Sequence, residues 1–139
     1  MAFSDLSDLL KRMEPKLKEG KYHIATVESS QLMAMANYLD YLLCVFREGE
    51  GLTVVFSEEI KDEIHDVTEK EVVGPFALIT LNVQSDLMAV GFLAKITEAL
   101  AKEKISVNAF SAYHHDHLLV PFDKKDKALN VLKKLSNSS

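Results

Sequence analysis

The sequence predicts an α+β fold of two βαββαβ units, with helices packed on one face of mostly antiparallel sheets. Three observations carry this. From Phe76 onward the elements read strand, helix, strand, strand, helix, each with a clear hydrophobic period. From Tyr22 a similar order appears: strand, an uncertain segment, strand, strand, helix, then a short apolar run at Glu71–Val73. The chain has 139 residues, 47% of them hydrophobic, which is enough for one compact domain or two very small ones that share a core. Helices on one face of a mixed sheet is the packing that buries such elements. The expected divisions are an N-terminal helix and linker at 1–20, a first unit at 21–73 and a second at 74–136.

Ser4 to Met13 reads as a helix. Ser4 can cap it, and Leu6, Leu9, Leu10 and Met13 recur at helical spacing, with Pro15 and Gly20 ending it. Tyr22 to Val27 reads as a strand. Ser29 to Leu39, with its Met-Ala-Met-Ala pattern, fits a short helix or an ordered loop. Tyr41 to Arg47 and Leu52 to Phe56 read as paired strands joined through Glu48-Gly-Glu-Gly51, whose glycines tolerate positive φ. Ser57 caps a helix that carries Glu58 and Glu59 in its first turn and Ile60 and Ile64 on one face.

In the second half, Phe76 to Gln84 is a strand with Ala77, Ile79, Leu81 and Val83 on one face and Thr80, Asn82 and Gln84 on the other. Ser85 or Asp86 caps the next helix, which runs to about Lys104 with Ala89, Leu93, Ile96 and Leu100 inward. Ile105 to Phe122 is a β-hairpin with the polar centre Tyr113-His-His-Asp-His117. Asp123 caps a last helix, with Leu129, Leu132 and Leu135 inward and five lysines mostly outward.

Composition narrows the function. A formal charge of −5 argues against nucleic-acid binding, which uses a basic face. No run is long and apolar enough to span a bilayer, and the N-terminus lacks the basic and apolar regions of a secretory signal. The single cysteine, Cys44, excludes an internal disulfide and a cysteine-rich zinc site, and reads as a buried small hydrophobe. These facts favour a reducing cytoplasm.

Catalytic motifs are missing: there is no Gly-x-Ser-x-Gly, no glycine-rich phosphate loop and no Cys-His pair in a recognisable setting. The histidine turn contains competent zinc ligands, but neighbouring strand residues point to opposite faces and no obvious fourth ligand exists, so no metal is expected. The lysines of the last helix and the acidic run from Glu58 to Asp66 read as solvated faces. Two places remain for a site. One is the turn Gln84-Ser-Asp86, where a helix start offers free amides. The other is the hairpin turn. Gly91 stands inside the expected helix, where glycine costs about 1 kcal/mol relative to alanine. Its presence reads as close approach of a ligand or as tight helix-to-sheet packing.

These stretches carry a resemblance. Val83-Gln-Ser-Asp-Leu-Met-Ala-Val-Gly-Phe-Leu-Ala94, followed by Ala101 to Pro121 with Ile105-Ser-Val-Asn108 and Ser111-Ala-Tyr-His-His-Asp-His-Leu-Leu-Val120, resembles ACT domains of aspartokinase regulatory regions and cytosolic arginine sensors. From about Asp5 to Leu135 the chain is similar to a small bacterial family of stand-alone tandem ACT-like proteins, which also share Phe46-Arg-Glu-Gly-Glu-Gly-Leu-Thr53. The Asp-x-Pro-Gly entry of metabolic-enzyme ACT domains is absent, and Ser29 to Leu39 departs from a full ACT helix, so the first unit is expected to be degenerate. The resemblance implies ferredoxin-like units and a non-catalytic regulatory protein that binds an amino acid or similar small ligand without a cofactor. It places the ligand near Asp86, Val90, Gly91, Phe92, Ser111, Tyr113, His114 and Asp116, and the amides of Ser85 to Leu87, read as a helix start, are expected to meet its carboxylate. A homodimer is expected, and no nucleic-acid or membrane partner. The alternative is a dimerisation or protein-interaction module with no small ligand.

Overall fold

A computed structural model describes residues 4–139. The first three residues of the expected segment 1–20 lie outside the described residues. In chain order the elements are α1 (Leu6–Lys11), β1 (Pro15–Leu17), β2 (Tyr22–Val27), α2 (Leu32–Met35), β3 (Leu42–Glu48), β4 (Gly51–Ser57), α3 (Lys61–Val67), β5 (Val73–Leu81), α4 (Phe92–Lys102), β6 (Asn108–Ser111), β7 (Asp116–Pro121) and α5 (Lys125–Asn137). They gather into two compact units. The first is Gly20–Phe76; the second joins Ala77–Ser139 with the stretch up to Glu19. Both have the ferredoxin-like arrangement.

In the first unit β4 pairs antiparallel with β3 on one side and β2 on the other, and β2 also pairs with Val73 and Phe76 at the start of β5. The alternation of the strands decides the buried face. Ala25, Val27, Leu52, Val54 and Phe56 pack with Ile60 and Ile64 of the α3 region and with Met35. The stretch Ser29 to Tyr41 is neither a full helix nor a loop. It is a 3₁₀ turn, the four-residue α2 and a second 3₁₀ stretch, and buries only Met35. Among the described residues β3 has one neighbour, which makes it an edge strand. Cys44 is accordingly half-buried rather than buried. His23 is buried, stacked on Phe56, with Nε2 3.2 Å from Glu58 Oε1. A Cβ on Gly74 would come within 2.5 Å of His23 Nδ1, so this close approach requires glycine.

In the second unit the strand order is β1, β5, β7, β6. Ala77, Ile79 and Leu81 of β5 and Leu118 and Val120 of β7 face Ile96 and Leu100 of α4, Ala128 and Leu132 of α5, and Leu9, Leu10 and Met13 from the N-terminal stretch. That stretch is therefore part of a core. Its helix begins at Leu6 and is capped by Asp5, whose side chain accepts from Asp8 N, rather than by Ser4. Pro15 does not simply stop the helix: it opens β1, which lies antiparallel to Leu81–Ile79. A proline at the first position of a short outer strand is one of the places a sheet tolerates it.

Two helix starts also differ from expectation. The α5 helix is preceded by a 3₁₀ turn at Phe122–Lys124, and Asp123 does not cap it. The α4 helix begins at Phe92, seven residues after Ser85.

Because Leu9 is fully buried against the strands, Leu9→Ala is expected to destabilise the protein by about 2–5 kcal/mol. Met33→Ala, at an exposed position, should change stability by less than about 0.5 kcal/mol. Urea unfolding of both variants checks this; a negligible loss for Leu9→Ala would mean that the N-terminal helix is not core.

Candidate functional site

The strand β5 ends at Leu81, and ten residues lead from it to α4. Their path is set by two local features. Asp86 makes a turn on itself: its Oδ1 accepts from Met88 N at 2.8 Å, and its backbone carbonyl accepts from Ala89 N at 2.9 Å. Gly91 then takes φ +93°, the left-handed region that side chains disfavour, and becomes the N-cap of α4. A Cβ there would meet only Leu6 Cδ2, at 3.6 Å. Backbone conformation, not tight packing inside a helix, is what demands glycine at this position.

The helix start has no side-chain cap, and the first amide bonded back into it is Lys95 N, to Gly91 O at 3.0 Å. The N–H groups of Phe92, Leu93 and Ala94 precede that first bond and carry the positive end of an eleven-residue helix. The amides of Ser85 to Leu87 are not at a helix start, because the Asp86 turn and the left-handed Gly91 delay it.

The hairpin supplies the opposite charge. Ser111 of β6 pairs with Asp116 of β7, and the turn is closed by Ala112 N donating to His115 O at 3.0 Å. Asp116 is only 5% exposed, and its Oδ2 accepts from Ser85 Oγ at 3.1 Å, which ties the hairpin to the loop before α4. Between them lies a recess of about 140 Å³ lined by Ser85, Asp86, Leu87, Ala89, Gly91, Phe92, Leu93, Ala94, Ser111 and Asp116.

Seven of the ten residues singled out in the sequence meet at this recess: Ser85, Asp86, Leu87, Gly91, Phe92, Ser111 and Asp116. Val90, Tyr113 and His114 do not line it. Val90 is 85% exposed on the loop, and Tyr113 and His114 stack edge-on at the hairpin tip. Ala89, Leu93 and Ala94 line the recess as well. With the helix start placed too early, Ala89 and Leu93 read as its inward face rather than as residues before and within its first turn.

In the hairpin, His115 Nδ1 lies 3.4 Å from Val83 O, and His117 Nδ1 lies 2.9 Å from the buried Thr80 Oγ1. Burial and then the neighbouring His115 push the His117 imidazole below its ordinary 6.5; Lys18 acts the same way and Asp116 opposes them. Among the described residues no three His, Cys, Asp or Glu side chains are grouped as a metal ion would need. Burial raises the pKa of the Cys44 thiol, the opposite of an activated nucleophile. No helix among the described residues is long and apolar enough to cross a membrane.

ACT-domain family profiles match twice, over residues 2–65 and 74–134. A Vibrio cholerae protein of unknown function, described as a possible transport protein, has a solved structure 36% identical to this chain. The match covers 94% of this chain and 95% of that one, with a TM-score of 0.76. The chain belongs to the ACT-domain family. Two further structures share its fold. An Agrobacterium tumefaciens protein is 22% identical over 88% of this chain and 87% of its own, with a TM-score of 0.69. The ligand-free regulatory subunit of aspartate kinase from Thermus thermophilus is 10% identical over 90% and 98%, also at 0.69. Comparison with curated proteins gives no match. The second ACT domain contains the whole recess, and both of its walls belong to the two stretches that carried the resemblance.

Two outcomes are expected. Gly91→Ala should cost about 1–3 kcal/mol in unfolding free energy, from backbone strain alone. The lowered His117 pKa means that the unfolded chain binds the proton more readily. Its contribution to stability is therefore fully present above about pH 6.5 and is lost as pH falls through the lower folded value. Unfolding midpoints measured from pH 8 to 5 should decline on acidification, and His117→Gln should flatten that decline.

Proposed function

We propose that this tandem ACT protein is a non-catalytic regulatory protein that binds an amino acid in its second domain. The observation that carries this is the pairing of opposite receptors across one small recess. The uncapped start of α4 offers amides and a positive dipole end to a carboxylate. Asp116 on the hairpin and Asp86 in the loop before α4 offer carboxylates to an ammonium. A zwitterion satisfies both at once. The ligand's carboxylate is assigned to Phe92–Ala94 and its ammonium to Asp86 and Asp116, with Ser85 holding Asp116 in place.

In this reading the first domain is 21–73 and the second 74–136, with β1 supplied to the second by the N-terminal stretch. The first domain has no comparable receptor, because α2 is only four residues long. Regulation follows if the ligand binds one conformational or assembled state better than another. A homodimer is the assembled state proposed. It is supported by the edge strand β3, where Leu43, Val45 and Phe46 are exposed and no charge interrupts the run from Tyr41 to Phe46. That same edge supports the second reading, an assembly module with no small ligand. A cytoplasmic setting and the absence of a cofactor, a membrane partner or a nucleic-acid partner complete the proposal.

A thermal-shift screen with the twenty amino acids tests it. A ligand at about 100 times its dissociation constant should stabilise the fold by about 2.7 kcal/mol. Asp86→Ala should abolish that shift while leaving the unliganded protein folded. No shift with any amino acid, together with a change of oligomeric state in Val45→Lys by light scattering, would favour the assembly module.

A further inference from the structure

Among amino acids, the recess itself sets limits on the side chain. Its charged lining residues are two carboxylates, Asp86 and Asp116, and it contains no lysine, arginine or histidine. The α-ammonium of a ligand offsets one of these negative charges and the helix end holds the α-carboxylate. Nothing in the lining is then left to compensate an acidic side chain, which would face the remaining carboxylate. Asp86 Oδ1 accepts from Met88 N, which fixes this carboxylate in the loop.

Size is the second limit. A volume of about 140 Å³ is close to that of a cavity that a benzene molecule fills, roughly six non-hydrogen atoms. Alanine has that number, glycine one fewer and serine one more. A leucine, phenylalanine or arginine side chain would have to leave the recess and lie over its rim, where Leu87 and Met88 are exposed. The walls that remain for the side chain are small or hydroxylated: Ala89, Ala94, Ser85 and Ser111.

We infer that the recess selects amino acids with small, uncharged side chains, namely glycine, alanine and serine, and rejects acidic and long ones. This rests on the amino-acid reading above and deepens it.

Isothermal titration calorimetry of the full chain against glycine, alanine, serine, aspartate, leucine and arginine tests the inference. The best of the first three should bind at least about ten-fold more tightly than each of the last three. Asp86→Asn should narrow the gap between alanine and aspartate. Ala94→Leu, at the exposed start of α4, should weaken serine and alanine more than glycine. Aspartate, leucine or arginine binding as tightly as alanine overturns the inference and leaves the amino-acid reading standing. Absence of binding by all six overturns the inference, and absence of a shift with any of the twenty in the thermal screen overturns the amino-acid reading with it.

Discussion

The geometry of the second domain turns on one backbone constraint, the left-handed conformation of Gly91. An ordinary residue at this place would be strained, because side chains disfavour positive φ. Glycine instead lets the chain reverse at φ +93° and begin α4 at Phe92. Three consequences follow. The helix presents its first amides at the end of a loop rather than under it. The loop lies back far enough for Ser85 to reach Asp116 on the hairpin. The space left between them is the recess. A single residue type thus links a torsion angle to a helix dipole, a hydrogen bond and a binding site.

Much of this was legible in the sequence, and the reasons are physical. The period-two alternation of Ala77, Ile79 and Leu81 reports burial on one face of β5, because a strand exposes alternate residues to one environment. The three-and-four spacing of Leu93, Ile96 and Leu100 reports the inner face of α4 in the same way. The hairpin could be placed because β-branched residues flank a polar turn. Seven of the candidate residues converge for this reason: they sit next to elements whose periods were clear.

What was not legible lacked a periodic signal. The strand Pro15–Leu17 is three residues long and begins with proline, too short for alternation to show; its existence depends on Leu81 to Ile79 lying alongside. Ser85 and Asp86 are good caps by local propensity, yet Asp86 uses its side chain to make a turn rather than to start a helix. Gly91 was noticed as a cost inside a helix, and the structure shows that it lies outside one. The segment from Ser29 to Tyr41 alternates weakly because only Met35 needs to be buried, so neither helix nor strand is enforced. In the first domain this leaves no helix long enough to act as an anion receptor, which is why the account assigns a single site.

The most direct test is a nuclear magnetic resonance titration of the ¹⁵N-labelled chain with alanine. The account predicts that the backbone amides of Phe92, Leu93 and Ala94 shift together, with Ser85 and Asp116 moving alongside and the Ser29–Gln31 stretch unchanged. Shifts confined to the first domain, or none at Phe92 to Ala94 under saturating ligand, would contradict it.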